Sequence, residues 1–167
     1  MPFAYYDKLG AASKRTYRAS DRIARVELPD AARLMPLARA VEPALARESV
    51  ALVHGACQSL VDALNAQLAT PPVIVKVLER RPADSAYELQ GLYEPDEVTG
   101  GTARITVWMR TARKDQVVKF RTFLRTLLHE VCHHLDYELY KFAETFHTEG
   151  FYARESALMR ELIGATA

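Results

Sequence analysis

Cysteine is scarce in this chain, and its two copies, Cys57 and Cys132, fall in what read as two different helices. That excludes a disulfide framework and any CxxC zinc ribbon. No run approaches the roughly 18 consecutive apolar residues of a membrane span, and the opening MPFAYYDKLGAASKR lacks the apolar core of a secretory signal. Charge of one sign is missing too. Against 21 Asp and Glu stand 22 Lys and Arg, so the net charge of +1 gives no strong global attraction to nucleic acid or an anionic surface. Repeats, low-complexity tracts and linkers are absent. What remains is 167 residues, 49% hydrophobic and 26% charged, ordinary for a single globular domain spanning residues 1–167. The expectation is a cytoplasmic protein without membrane contact, its oligomeric state left open.

The N-terminal segment, residues 1–28, is locally basic: Lys8, Lys14, Arg15, Arg18, Arg22 and Arg25 face Asp7, Asp21 and Glu27. A helix over residues 7–25 would present these charges mainly to solvent, with a weak nucleic-acid contact as the alternative. Asp30 is a suitable N-cap for a short helix from Ala31, and Pro36 and Pro43 argue for breaks or new first turns. Helical spacing of Leu45, Leu52, Val53, Leu60, Val61, Leu64 and Leu68 predicts a long core helix over 43–68. His54 lies inside it without a ligand-type neighbour three or four residues away, which reads as structural. Three short β-type runs follow, VIVKVLERR (73–81), YELQGLYE (87–94) and ARITVWMRT (103–111), predicting a small sheet. In the third, Ile105, Val107 and Met109 alternate with Thr106, Trp108 and Arg110, so one face is apolar and the other is open to solvent or a ligand.

From Asp115 to Tyr140 the helical period returns, and inside it lies LLHEVCHHLDYEL, with three of the five histidines. Residues four apart share one helix face, so His129 and His133 present their imidazoles to one ion. Glu130, beside the first, reaches a water at that ion without binding the metal itself. This is the HExxH arrangement of zinc hydrolases, in which the glutamate serves as general base. His134 lies about 100° around the helix from His133 and is expected to support the site, with Glu130 as a partner. Cys132 points elsewhere.

Catalytic zinc takes three protein ligands and a water. The candidates for the third are His147, Glu155, Glu144 and Glu149, all within KFAETFHTEGFYARESALMREL. A helix continuing unbroken to His147 would carry it about 21 Å from the ion, whereas a stop near Tyr140 leaves enough chain, at up to about 3.3 Å per residue, to return. His147 therefore requires a reversal between about Leu139 and Thr145, and it leads the candidates. Thr148 is a possible N-cap for the last helix, and Glu155 on that helix is the thermolysin-like alternative.

TLLHEVCHHLDY followed by HTEGF resembles the SprT-like zinc metalloproteases, over roughly residues 87–160. In that family an HExxH helix is followed by a third histidine in an H-G-x-x-F/W context. Here His147 matches that histidine, Phe151 matches the aromatic, and Thr148 replaces the glycine. The resemblance implies Zn2+ held by His129, His133 and His147, with Glu130 as general base and acid. The zinc ribbon that many members carry after this segment is missing. The expectation is thus an α+β, zincin-like metallopeptidase domain with a small sheet, a long core helix and an HExxH active-site helix, acting on a protein or peptide. The substrate would lie along the edge of strand 103–111, with His134, Tyr137 or Tyr152 steadying the oxyanion. A zinc-stabilised DNA- or protein-binding module without turnover is the rival reading.

Overall fold

A computed structural model describes residues 2–81, 91–112 and 115–164, and in them a helical half precedes a half in which strands and helices mix. A 3-10 turn (Ala4–Lys8) leads to α1 (Ala11–Asp21), α2 (Ala31–Arg39), α3 (Val41–Ala46) and α4 (Val50–Leu68). Then come β1 (Val73–Arg80), β2 (Gly91–Glu94), the single turn α5 (Asp96–Thr99), β3 (Ala103–Arg110), α6 (Phe120–Glu138) and α7 (Glu149–Ile163).

Three helices begin at side-chain caps, those at Asp30 and Thr148 as expected and one at Ser49 that was not. Asp30 accepts from the Arg33 N–H, Ser49 from that of Leu52 and Thr148 from that of Phe151, each supplying a partner to a backbone donor the helix cannot satisfy. The Ser49 cap also explains a correction. The helix expected over 43–68 is two helices, because Glu48 takes a left-handed conformation (φ 52°) and the chain restarts at Ser49. Pro43 lies in the first turn of α3, while Pro36 is absorbed within α2. The basic helix is likewise shorter than expected, since residues 4–8 form a separate 3-10 turn. Within the basic segment Arg18 donates to the Tyr6 hydroxyl at 2.6 Å, and Arg25, beyond the end of α1, pairs with Glu161 at 2.5 Å.

The strand order is β1-β3-β2, with β1 parallel and β2 antiparallel to β3. β3 is therefore the central strand and offers no edge to a substrate. Nor is its second face open, since Thr106 and Trp108 are buried along with Ile105, Val107 and Met109. The outer edge of β1 is partly occupied: Gln58 of α4 accepts from the Val75 N–H and donates to the Val73 carbonyl, both at 2.8 Å. A side-chain amide there takes the place of a neighbouring strand. β2, the other edge strand, likewise has no strand partner on its outer side among the described residues. Of the run expected as the second strand, residues 87–90 lie outside the described residues.

α6 also starts later than expected. Residues 115–118 fold back on the end of β3, with Val118 donating to the Met109 carbonyl (2.7 Å) and Thr111 to that of Gln116 (2.8 Å). Leu60 and Leu64 of α4, Val107 of β3, Leu124 and Leu128 of α6, and Leu158 of α7 join one core. His54, in contrast, is exposed on α4. Among the described residues no helix is long and apolar enough to cross a membrane.

α1 crosses the start of α7 at Gly150, whose amide donates to Asp21 Oδ1 at 3.0 Å. A Cβ at Gly150 would fall against the Ser20 carbonyl oxygen and 2.7 Å from that of Asp21, both backbone atoms with little room to retreat. Gly150→Ala is therefore expected to destabilise the fold by about 1–3 kcal/mol or more, the usual range for overpacking. Thermal unfolding would show it as a drop of several degrees in Tm.

Candidate metal centre

The buried stripe of α6, carrying Leu124, Leu127, Leu128, Val131 and Leu135, fixes which way the rest of the helix faces. His129 and His133 lie on a half-buried side turned toward α7, one turn apart, their ring centroids 4.9 Å from each other. His147 comes to them from the loop between α6 and α7. Its ring lies 4.9 Å from each of the other two, and its Nε2 is 3.0 Å from that of His133. The ligand atoms of the three all lie within 4.8 Å of one another, close enough to hold one metal ion. Phe151, fully buried, forms the floor beneath them at 4.7–5.2 Å between ring centroids.

The required reversal occurs without glycine or proline. α6 stops at Glu138, and Lys141 takes the left-handed conformation with φ 58°. Tyr140 donates back to the Leu135 carbonyl at 3.0 Å and Phe142 to that of Asp136 at 2.9 Å, covering carbonyls the helix end leaves open.

Outer partners hold two of the imidazoles. His129 Nδ1 lies 2.6 Å from Glu155 Oε1, whose other oxygen accepts from Arg125 at 2.9 Å. His133 Nδ1 lies 2.8 Å from Thr145 Oγ1. In each ring this leaves Nε2 for the cluster, the pattern by which carboxylates and hydroxyls orient metal-binding histidines. Glu155 thus stands behind His129 and outside the cluster. Burial pushes its carboxyl up, but the hydrogen bonds and charges of His129 and Arg125 bring it below its ordinary value. Burial, together with His129 and His147, pushes His133 down to about 3, and burial foremost lowers His147 as well. Both are neutral at pH 7, the form that binds a metal. Three nitrogen donors of intermediate softness suit zinc, copper, iron or nickel better than magnesium or calcium.

Glu130 is buried beside the cluster, and burial is the main cause that pushes its carboxyl up to about 7; His129 opposes the rise and Glu155 adds to it. It meets the cavity where β2 crosses α6. A cleft of about 490 Å³ is bounded by Gly91, Thr126, His129, Glu130, Tyr152 and Glu155 among others. A second, of about 230 Å³, shares Gly91, Glu130 and His133 and is completed by Leu92, Tyr93, Pro95, Tyr137 and Thr145. Tyr152 therefore flanks the centre on one side and Tyr137 on the other.

His134 does not belong to this arrangement. Its Nε2 donates to the Pro71 carbonyl and its Nδ1 accepts from the Tyr93 hydroxyl, both at 2.9 Å, so it ties α6 to the sheet and has no bond to Glu130. With both nitrogens engaged and the ring buried, it lines neither cleft and is not an oxyanion donor. Glu144 is bonded to Ser13, Glu149 opens α7, and neither joins the histidine group. Cys132 is buried in the core and its thiol is pushed up by that burial.

Gly91 is a site residue that motif reading missed. A Cβ there would lie 3.0 Å from both Glu130 Cγ and Thr126 Cγ2, so any larger residue would oblige one of these side chains to shift by a few tenths of an ångström. A glycine within the strand-like LQGLYE is the available signal, because it marks close approach of another group. If the chain turns over a substrate through Glu130, Gly91→Ala should shift that side chain and lower kcat more than it lowers Tm, which paired kinetic and melting measurements would show. Equal melting with unchanged kcat would remove Gly91 from the site.

Compared with protein-family models, with curated proteins and with solved structures, the chain matches none.

Proposed function

We propose that this chain is a zinc-dependent, zincin-like metallopeptidase of the SprT-like type, with His129, His133 and His147 as metal ligands and Glu130 as general base. The observation that supports it most is the placing of Glu130, buried beside three clustered imidazoles at the junction of two clefts. A purely structural zinc site takes four ligands and has no use for such a carboxylate, whereas a hydrolytic one keeps a position open. When bound, zinc supplies a Lewis acid that polarises a carbonyl and acidifies a water.

The chain's own groups supply the rest. Glu130 takes a proton from the attacking water and returns it to the departing amine, a shuttle suited to a carboxyl near neutrality. An extended peptide lies along the outer edge of β2, unpaired among the described residues, with its main chain bonded to the strand and its side chains falling into the clefts on either side. Tyr152 and Tyr137, both phenols pushed up by burial, are protonated donors flanking the reacting carbonyl. The thermolysin-like alternative loses support from the geometry, because the Glu155 carboxylate is engaged by His129 Nδ1 and Arg125.

The test is hydrolysis of an unfolded protein and of quenched fluorescent peptides by zinc-loaded protein. Cleavage should cease on chelation and return with zinc. Failure to cleave any peptide in a diverse library would contradict the proposal.

A further inference from the structure

We infer that Thr145, Asp136 and Arg154 form a buried positioning chain that sets the tautomer and direction of His133; the inference rests on the metal reading above. The geometry allows the protons to be placed. Thr145 Oγ1 lies 2.7 Å from Asp136 Oδ2 and 2.8 Å from His133 Nδ1, and a hydroxyl has one proton to give. Asp136 is fully buried and its other oxygen accepts from Arg154 Nη2 at 3.0 Å. Paired with the equally buried Arg154 guanidinium, Asp136 is held as the carboxylate, against the upward push of burial on its carboxyl. An ionised carboxylate only accepts, so the hydroxyl proton goes to Asp136. The hydroxyl oxygen then accepts from His133, whose proton must sit on Nδ1. The lone pair is thereby on Nε2, the atom 3.0 Å from His147 Nε2.

Arg154 anchors the chain. It is 1% exposed, and beyond Asp136 it donates to the carbonyls of Ser20 (2.7 Å) and Ile23 (2.6 Å) and to Ser20 Oγ (3.0 Å). Ser20 Oγ is also 3.0 Å from Thr148 Oγ1, the cap of α7 and the residue after His147. One guanidinium therefore reaches toward two of the three imidazoles, through Asp136 and Thr145 to His133 and through Ser20 and Thr148 to the backbone beside His147. Its other bonds end on the last turn of α1 and the residues after it, so the basic N-terminal segment serves as a buttress of the centre. A lysine cannot reproduce this fork.

A merely structural role would show in stability alone, so the test reads zinc affinity and tautomer on folded protein. Thr145→Val keeps the shape and removes the hydroxyl. It is expected to raise the zinc Kd, measured by chelator competition well below the Tm, by about 10–100-fold, while Thr145→Ser stays within a few-fold of wild type. Asp136→Asn gives a second measurement. Its amide can donate to Thr145, which reverses the hydroxyl and moves the His133 proton to Nε2. Imidazole ¹⁵N shifts of the metal-free protein should report Nδ1–H in wild type and Nε2–H in this variant. Wild-type zinc affinity in Thr145→Val, or a serine variant as weak as the valine, would overturn the inference and leave the metal site standing. A His133 tautomer unchanged in Asp136→Asn would also overturn it. A wild-type protein that binds no zinc would overturn the metal reading and this chain with it.

Discussion

Glu130→Gln is expected to keep zinc bound and to lower kcat for peptide hydrolysis on the order of 10²–10⁴-fold, the usual contribution of a positioned general base. Glutamine fills the same buried space against Gly91, so the packing of β2 on α6 is preserved. Neither His129 nor His133 draws its outer hydrogen bond from Glu130; those come from Glu155 and Thr145. The metal should therefore be indifferent to the change, while the proton shuttle disappears. Zinc content and kcat measured on the same preparation separate the two effects. Undiminished hydrolysis in the glutamine variant would remove Glu130 from the chemistry. Loss of zinc along with activity would mean that it binds or braces the ion.

His147→Ala should have the larger effect on the metal. Apparent zinc binding of about 10–16 kcal/mol in four-ligand structural sites corresponds to about 2.5–4 kcal/mol per ligand, or about 10²–10³-fold in Kd. Glu155→Gln should weaken zinc by only about 10–100-fold, because it loosens the orientation of His129 and removes no donor. The order of the two is the decisive point. Chelator competition on both variants gives it, and a Glu155 change as damaging as that at His147 would transfer the third ligand to α7.

The parts of the site legible in the sequence are those governed by local spacing. A four-residue step on a helix joins His129 to His133, and the side chain of Thr148 caps the helix that follows His147. Features that depend on distant pairing were not legible. The run 103–111 has the same alternation whether it sits at an edge or in the centre. Only the partners β1 and β2, from elsewhere in the chain, decide that it is central. His134 read as an attendant of Glu130 because the two are four apart, yet its partners are Tyr93 and Pro71 on the sheet side. The turn that returns His147 carries a lysine at the left-handed position, where glycine or asparagine would have announced it. Arg154 was invisible for a related reason: arginine ordinarily marks surface, and its burial follows from bonds to α1 and α6 that no local pattern encodes.

The proposed chemistry requires that three histidines gathered from α6 and the loop after it hold one metal ion. The direct measurement is zinc per chain, by elemental analysis of wild-type protein dialysed against zinc and then against metal-free buffer. About one zinc per chain is expected, as a single three-histidine site requires. Protein that retains none would leave His129, His133 and His147 as a cluster of partly exposed polar side chains and would be evidence against the proposed function.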